Sequence, residues 1–467
     1  MRKYLAVDIG ASSGRHMLGW VENGVMKLLE VYRFKNGYSK KDGHDCWDID
    51  NLYKEILQGL KVCKEMGHQP VSMGIDTWGV DFVLIDSDGN RITDAVAYRD
   101  KRTAGMDKKL EESLSFERLY EITGIQKQIY NSIYQLLWMS ENEKDKLEKA
   151  DRLLFIPDYL NYLLTGKAVN EYTISTTSAM ISAGDKTWNE KILELLGIKK
   201  PLFGEPVMPG NSLGGFKEET IKETGFDCEV VLPASHDTGS AFLAVPAKDE
   251  NSVFISSGTW SLLGIEQMQP NITEKGMLAN FTNEGGYNGR YRYLKNIMGL
   301  WMIQSIRRNY GEKYSFAQLE SMARECSGFD SLVDVNSQRF LAPDNMLEEV
   351  QRACKESGQK VPQTPGEVVQ CVYKSLAKYY KTAIDELEEI TGRKFTTINI
   401  VGGGSKDGYL NELTAKETGL PVYAGPTEGT ALGNLMVQMI KDGAYKDLQA
   451  ARDAIDKSFT IVKYSPE

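Results

Sequence analysis

Short apolar runs alternate along the chain with longer segments whose apolar residues recur every three or four positions. The runs at 3–10, 16–21 and 25–34 predict three strands, the first two joined by a turn of small residues. Residues 50–65 carry apolar side chains at helical spacing and predict a helix. This alternation of strands and helices indicates an α/β protein.

The second half of the chain repeats this order. Residues 251–266 predict a strand, a Ser/Gly turn and a further strand, and 397–405 predict a strand that leads into a glycine-rich turn. Between them, Thr364-Pro365-Gly366-Glu367 is a capping box that predicts a helix start. We therefore expect two domains, residues 1–245 and 246–467, whose openings form a weak internal repeat.

Length and composition agree with two globular domains. The 467 residues exceed what one core normally organises, and 41% apolar with 26% charged residues is ordinary for a folded protein. The net charge of −10 disfavours nucleic acid and anionic membrane as partners. No apolar run approaches the about 18 residues of a membrane span, and Asp8 and Gly10 interrupt the N-terminal apolar stretch, which argues against a signal peptide.

The cysteines and histidines bear on the redox compartment and on metal binding. The six cysteines show no CxxC spacing, which favours reduced thiols and a cytoplasmic location over a disulfide framework or a zinc site. Cys354 and Cys371 would pair only if the fold brought them together. The four histidines show no metal-ligand spacing.

The turn after the first strand carries the first candidate chemistry. Backbone N–H groups in such a turn bind anions, and the hydroxyls and guanidinium of residues 12–15 suit phosphate. Asp8, at the strand end, is placed to hold Mg²⁺ through water. The alternative is a hairpin turn with solubilising residues.

Two segments in the second half of the chain resemble the turn after the first strand in their small and hydroxyl-bearing residues. Residues 256–261 form a Ser/Gly/Thr turn, and 402–405 are Gly-Gly-Gly-Ser between a strand and a helix. Glycines there would let the backbone lie against a ligand such as an adenine ring, although a plain tight turn explains each segment alone. Neither segment matches a dinucleotide-binding fingerprint or a P-loop.

Two further segments suit the binding and deprotonation of a sugar hydroxyl group. Asp237 follows an apolar strand among small residues, as a general base that accepts a hydroxyl proton would; the alternative is an Asp that caps the next helix. Residues 76–82 combine two carboxylates and an indole, which fits a sugar subsite or, alternatively, a bend with a core Trp.

Together these motifs resemble the FGGY carbohydrate kinases from the first strand to about residue 440. The segments that carry the resemblance are DIGASSGR, DTWGVDF, AYRDKRT, SHDTGSA, SSGTWSLLG, NEGG, LKNIMGLW and VGGGS. The resemblance implies two actin-like ATPase domains of the ribonuclease H type around an interdomain cleft that holds ATP and Mg²⁺.

The resemblance also implies roles for individual residues. Asp237 would be the proton acceptor, and the sugar would contact Gly79, His236, Asp237, Thr238 and Asn296. The nucleotide site would be lined by Ala11, Ser12, Ser13, Gly14, Arg15, Thr259, Gln304 and Gly402. Within the family the motifs are most similar to the branch that transfers the ATP γ-phosphoryl group to O1 of L-rhamnulose.

Other interpretations stay open at this point. Another ketose such as L-fuculose differs by the stereochemistry of one hydroxyl, which sequence inspection does not resolve. An actin- or Hsp70-like ATPase would share the phosphate turns without needing Asp237 as a base. A sugar-responsive regulator would need a DNA-binding segment, and no basic helix-turn-helix stretch is evident. The oligomeric state has no signature in the sequence.

Overall fold

The computed structural model describes residues 1–467, except for the side chain of residue 200. The chain packs into two compact units. The first unit comprises Met1–Ala244, Glu266–Tyr293 and Thr430–Ser458. The second comprises Val245–Ile265, Leu294–Gly429 and Phe459–Glu467.

The strands are numbered in chain order. They are β1 Lys3–Ile9, β2 Ser13–Glu22, β3 Val25–Lys35, β4 Tyr38–Lys41, β5 His44–Trp47, β6 Ser72–Thr77, β7 Phe82–Ile85, β8 Ala95–Val96, β9 Arg152–Phe155, β10 Asn170–Glu171, β11 Pro206–Val207, β12 Ser212–Gly214, β13 Glu229–Val231, β14 Ser252–Ser257, β15 Trp260–Gln267, β16 Thr282–Gly285, β17 Tyr291–Met298, β18 Thr397–Val401, β19 Val422–Ala424 and β20 Val462–Tyr464.

The helices follow the same order. They are α1 Ile49–Glu65, α2 Met106–Glu111, α3 Phe116–Thr123, α4 Ser132–Asn142, α5 Lys144–Lys149, α6 Ile156–Thr165, α7 Tyr172–Thr176, α8 Glu190–Leu195, α9 Glu218–Thr224, α10 Asp237–Leu243, α11 Glu274–Leu278, α12 Trp301–Asn309, α13 Phe316–Glu325, α14 Met346–Glu356, α15 Pro365–Thr391, α16 Gly408–Thr418, α17 Gly429–Lys441 and α18 Leu448–Ser458. Short 3₁₀ turns occur at Lys101–Thr103, Lys200–Leu202, Tyr287–Gly289, Gln338–Phe340 and Gly403–Lys406.

The main sheet of the first unit has the strand order β12-β13-β6-β1-β2-β3. β1 pairs antiparallel with β2 and parallel with β6, so the first turn and the end of β6 meet at one edge. The predicted helix at 50–65 is confirmed as α1, whose Leu52, Ile56 and Leu60 are buried in the core that covers this sheet. Asp48 caps α1 by accepting a hydrogen bond from the Asn51 N–H.

The second unit repeats this arrangement. Its strands follow the order β17-β15-β14-β18-β19-β20, in which β14 pairs antiparallel with β15 and parallel with β18. The predicted capping box is confirmed, because the Thr364 and Glu367 side chains each bond the other's backbone N–H at the start of α15. Gly392, in the left-handed conformation, ends this 27-residue helix.

Residues 266–293 and 430–458 lie after the predicted boundary at 245 but pack with the first unit. Polar side chains of α17 explain why residues 430–458 pack with the first unit. Asn434 Nδ2 donates to the Gly74 carbonyl at 3.0 Å, and Gln438 Nε2 donates to the Leu5 carbonyl at 2.9 Å. This part of α17 therefore satisfies backbone acceptors of the first sheet, a long-range pairing that local sequence patterns do not indicate.

Two further features bear on the sequence expectations. The sulfur atoms of Cys354 and Cys371 lie 3.8 Å apart on α14 and α15, so the fold does bring them together, as free thiols. Among the residues that the structure describes, no helix has both the length and the apolarity needed to cross a membrane.

Candidate active site

Three aspartates gather at the ends of the neighbouring strands β1, β6 and β13. Asp8 and Asp76 are register partners in the β1–β6 ladder, and Asp237 follows β13 at the start of α10. Asn434 Nδ2 donates to Asp76 Oδ2 at 2.6 Å, whereas the buried Oδ1 has no hydrogen-bond partner among the described residues. Burial, and then the nearby charge of Asp8, raises the pKa of Asp76 well above its ordinary value.

Arg15 lies across the β1–β2 turn from Asp8. Its Nε and Nη2 both donate to Asp8 Oδ2, at 3.0 and 2.8 Å. The turn is closed by the Gly10 N–H, which donates to the Ser13 carbonyl at 2.9 Å, and Ala11 and Ser12 at its tip are exposed. The structure thus presents an open turn beside a paired Asp8–Arg15, with backbone at its tip accessible to a ligand.

Asp237 is the first residue of α10, and His236 precedes it as the helix cap residue. The Thr238 N–H and Oγ1 both donate to Asp237 Oδ1, at 2.5 and 3.1 Å. Oδ2 accepts no hydrogen bond from the residues described, and 31% of the Asp237 side chain is exposed. Its carboxylate therefore keeps one oxygen available to a ligand.

The electrostatic setting of Asp237 suits proton transfer. Burial raises its pKa above the ordinary Asp value, and the charge of Asp8 raises it further, whereas His236 and the Thr238 hydrogen bonds act in the opposite direction. A carboxylate with a raised pKa is a stronger base when ionised. These properties are the ones expected of the predicted proton acceptor.

Glu171, at the N-terminus of α7, supports the segment before Asp237 and was not found from sequence. Its Oε2 accepts the Ser235 N–H at 3.2 Å. Thr173 Oγ1 donates to the same Oε2 at 2.7 Å and accepts the His236 N–H at 3.2 Å. Burial raises the pKa of Glu171 to about 7. Glu171 and Thr173 thus fix the backbone that leads to Asp237.

His236 has two buried charged neighbours, Glu284 and Arg292, which sequence reasoning also missed. Its Nδ1 lies 3.1 Å from Glu284 Oε2 and 3.2 Å from Arg292 Nη2, and its Nε2 lies 3.5 Å from Asp237 Oδ1. Glu284 belongs to the motif NEGG, which contributes to the family resemblance but to which the sequence alone assigns no function. Arg292 had no sequence signal.

The predicted subsite at 76–82 contains Asp81, whose two carboxylate oxygens both accept hydrogen bonds from other residues of the protein. The buried Asp81 Oδ2 accepts hydrogen bonds from Trp47 Nε1 at 2.7 Å, Trp78 Nε1 at 2.9 Å and the Tyr98 N–H at 3.1 Å. Gln135 Nε2 donates to Oδ1 at 3.2 Å. Burial raises the pKa of Asp81 to about 6 even though these donors lower it. Asp81 therefore holds an aromatic cluster together. Of the two interpretations of residues 76–82, the bend with a core Trp describes the contacts of Asp81.

Gly79 lies in the same bend, where space is limited. A Cβ atom there would lie 2.9 Å from Thr177 Cγ2, which is too close for a side chain. Thr177 Oγ1 also accepts the N–H of Val80, a residue held at φ 68°. Thr177 therefore holds this bend from the side, and the half-buried Gly79 leaves room beside it.

The second unit brings the remaining predicted nucleotide residues together. Gly402, at φ +88°, and Gly404 press against Ser257, because added Cβ atoms would lie 2.8 Å from its carbonyl oxygen and 1.9 Å from its Oγ. The Trp301 N–H donates to the Thr259 carbonyl at 3.1 Å, at the start of the helix α12 that carries Gln304. The two small-residue turns and α12 therefore adjoin one another within this unit.

Asn296 on β17 belongs to the second unit, whereas Gly79 and residues 236–238 belong to the first. Its carbonyl accepts a hydrogen bond from Asn336 Nδ2 at 3.2 Å. Its side-chain Oδ1 is buried and has no hydrogen-bond partner among the described residues. An orphaned buried amide oxygen is a natural acceptor for a ligand hydroxyl.

Asp8 is the acidic residue considered for Mg²⁺. Among the residues described, no group of three or more His, Cys, Asp or Glu side chains is arranged to hold a metal ion. Mg²⁺ in phosphate-transferring sites keeps several waters and takes one or two carboxylates together with substrate phosphates. Asp8, beside the open β1–β2 turn, fits this water-rich mode.

Comparison with known proteins identifies the family. The chain matches the N-terminal domain of the FGGY family of carbohydrate kinases over residues 3–244 and its C-terminal domain over 253–441. It is 50% identical to a rhamnulokinase of Halalkalibacterium halodurans, over 99% of both chains, and 43% identical to one of Bacillus subtilis, over 99% of this chain and 95% of that one. The chain therefore belongs to the FGGY family of carbohydrate kinases.

Solved structures agree on the fold. A gluconate kinase from Lactobacillus acidophilus superimposes with a TM-score of 0.82 at 16% identity, over 100% of this chain and 94% of that one. A Plasmodium falciparum glycerol kinase with ADP gives 0.79 at 15% identity, over 99% and 94%. The predicted two-domain, actin-like ATPase fold and the predicted family are confirmed.

Proposed function

We propose that this carbohydrate kinase transfers the γ-phosphoryl group of ATP to O1 of L-rhamnulose, giving L-rhamnulose 1-phosphate and ADP. The full-length similarity to rhamnulokinases supports the choice of sugar. The observation that carries the chemistry is Asp237, whose Oδ1 is held by Thr238 while Oδ2 stays available. No observation favours a sugar-independent ATPase.

In the proposed step, Asp237 Oδ2 removes the proton from the O1 hydroxyl as that oxygen attacks the γ-phosphorus. A bond forms between O1 and phosphorus, and the bond from phosphorus to the β–γ bridging oxygen breaks. ADP leaves with that electron pair, and the proton stays on Asp237. Positioned bases of this kind contribute about 10²–10⁴ in rate.

Neighbouring residues would position the sugar. The accessible side of Gly79 admits the sugar, and His236 and Thr238 flank the base. Asn296 supplies an amide oxygen without a partner. Hydrogen bonds from buried polar groups discriminate strongly between sugars, because a ligand that lacks the matching hydroxyl leaves them unsatisfied.

The nucleotide would bind through the two sets of turn residues, with phosphates on the backbone and hydroxyls of residues 11–15 and on Thr259. Gln304 and Gly402 would complete the site. Mg²⁺, held through water by Asp8, would neutralise phosphate charge when bound. We further propose a cytoplasmic enzyme without nucleic-acid or membrane partners, consistent with its free thiols and its net charge of −10.

A coupled ADP-release assay across ketoses tests the proposal. L-Rhamnulose, L-fuculose and a ketopentose would be compared at equal concentrations, with a reaction lacking sugar as the baseline. We expect kcat/KM for L-rhamnulose to exceed the others by about ten-fold or more, as a mismatched hydroxyl costs roughly 1–3 kcal/mol. A preference for L-fuculose would show that L-fuculose, not L-rhamnulose, is the substrate. ATP turnover that does not depend on any sugar would favour an actin- or Hsp70-like ATPase.

A further inference from the structure

Arg292 is a fully buried cation next to His236, the residue that precedes the proposed base. Its side chain is 0% exposed, and its Nε donates to the Gly285 carbonyl at 2.9 Å. Its Nη1 lies 3.0 Å from Glu284 Oε2, and its Nη2 lies 3.2 Å from His236 Nδ1 in hydrogen-bond geometry. A buried charge of this kind is costly unless it is paired, so its position against His236 invites a specific role.

The contact with Arg292 favours one form of the imidazole. A guanidinium carries donors only, so Nδ1 of His236 must be the acceptor in this hydrogen bond. A neutral imidazole that accepts at Nδ1 carries its proton on Nε2. Glu284 Oε2 also lies 3.1 Å from Nδ1. A carboxylate oxygen can only accept a hydrogen bond, so this contact opposes the preference that Arg292 sets. Glu284 also forms an ion pair with Arg292 Nη1 at 3.0 Å, which balances the charge of Arg292.

The protonated Nε2 then faces the base. It lies 3.5 Å from Asp237 Oδ1, the oxygen that already accepts both donors of Thr238. At that distance the contact is electrostatic rather than a full hydrogen bond. Among the described residues, the donors near Asp237 therefore converge on Oδ1, which leaves Oδ2 to accept a proton.

We propose that Arg292, paired with Glu284, is a positioning residue that fixes His236 in the Nε2–H tautomer and thereby directs the proton-accepting function of Asp237 to Oδ2. This inference rests on the proposed function, because it takes Asp237 as the base. A purely structural Arg292 would fill space beside Gly239 and bind the Gly285 carbonyl without controlling the tautomer.

The tautomer can be observed directly in the full-length protein. With ¹⁵N-labelled histidine, long-range ¹H–¹⁵N spectra distinguish protonated from bare ring nitrogens, and the chain has only four histidines. The His236→Asn variant assigns the His236 signals by their loss. We expect a protonated Nε2 and a bare Nδ1; a wild-type protein with Nδ1–H as the main form would overturn the inference, whatever any variant does.

Two variants of Arg292 separate positioning from packing. In Arg292→Gln, Glu284 becomes the stronger partner of Nδ1, so we expect a shift towards Nδ1–H and a fall in kcat of about ten-fold or more, a fraction of what a base supplies. Arg292→Lys retains a cationic donor and should keep the wild-type tautomer and recover part of kcat. Wild-type tautomer and kcat in Arg292→Gln would also overturn the inference.

Arg452→Gln is the matched control. Arg452 is another buried arginine of the first unit, and its guanidinium donates to the Leu243 and Phe242 carbonyls at the far end of α10. Its replacement should lower thermal stability and leave the His236 tautomer and kcat unchanged. If the tautomer moved equally in both variants, general loosening would explain it and the inference would fail.

The same experiments distinguish the two proposals. Active L-rhamnulose phosphorylation together with an Nδ1–H tautomer would remove only the inference about Arg292. A wild-type Nε2–H tautomer that shifts in Arg292→Gln, in a protein that does not phosphorylate L-rhamnulose, would remove only the proposed substrate.

Discussion

Asp8 and Asp76 lie side by side as register partners on β1 and β6, yet their carboxylates are held differently. Asp8 is paired with Arg15, whereas Asp76 is buried, bonded by Asn434, and has a pKa raised well above its ordinary value. Adjacent carboxylates in unequal surroundings take different protonation states. Burial therefore favours the protonated form of Asp76, and we expect Asp8, beside the open β1–β2 turn, to be the carboxylate that serves a metal ion.

This difference predicts opposite results for two Asp→Asn changes. Asp76→Asn mimics a protonated carboxyl and should keep kcat within a few-fold of wild type. Asp8→Asn should reduce kcat by about 10²-fold, the scale of one lost charge-stabilising group, and should raise the Mg²⁺ concentration needed for half-maximal rate. Steady-state rates across a Mg²⁺ titration check both. Equal losses in the two variants would contradict the assignment.

Asn296→Ala should raise the KM for the sugar about five-fold with little change in kcat. The buried Oδ1 of Asn296 lacks a protein partner, and one hydrogen bond to a ligand contributes roughly 1 kcal/mol. Sugar titrations at saturating ATP measure the effect. Asn142→Ala, at an exposed position on α4, is the control. An unchanged KM in Asn296→Ala would take Asn296 out of the sugar site.

The pH dependence of kcat/KM should show the raised pKa of Asp237. The base works only when ionised, so activity falls as the pH drops through that pKa. Because burial and Asp8 raise it, the acidic limb should have its midpoint above 3.8, the ordinary Asp value. Rates measured over a pH series, with stability checked at each pH, test this. Full activity at or below pH 3.8 would contradict it.

Glu171→Gln should flatten the pH dependence of stability. The folded pKa of Glu171, about 7, exceeds its ordinary 4.5, so the stability from its protonation is complete below pH 4.5 and is lost as pH rises through 7. The loss is on the order of 3 kcal/mol. Urea unfolding at pH 5 and pH 8 should therefore differ less in Glu171→Gln than in wild type. The exposed Glu325→Gln should retain the wild-type difference, and equal differences in all three proteins would refute the prediction.

Local patterns in the sequence predicted much of this fold. The runs at 3–10, 16–21 and 25–34 correspond to β1, β2 and β3, because a short apolar run is a signal carried by neighbouring residues. Asp237 was recognisable for the same reason, since it follows an apolar segment and is flanked by small residues. Its place at the start of α10 needed no long-range information.

The supporting residues could not be predicted in the same way. Arg292 reaches His236 across 56 positions of the chain, and Glu171 reaches Ser235 across 64. Packing determines such partners, and no local spacing encodes it. For Asp81 the sequence left open both a ligand site and a bend with a core Trp. In the structure its carboxylate is occupied by donors from Trp78 in the same bend and from the distant Trp47 and Gln135.

The most direct test of the central claim is the Asp237→Asn variant. The amide keeps the size of the side chain but cannot accept the sugar proton, so we expect kcat for L-rhamnulose to fall about 10²–10⁴-fold while ATP binding, measured by calorimetry, stays near wild type. Asp48→Asn, which preserves the α1 cap, should show normal turnover. Near-normal phosphorylation by Asp237→Asn would contradict the account, because Asp237 would then not be the base.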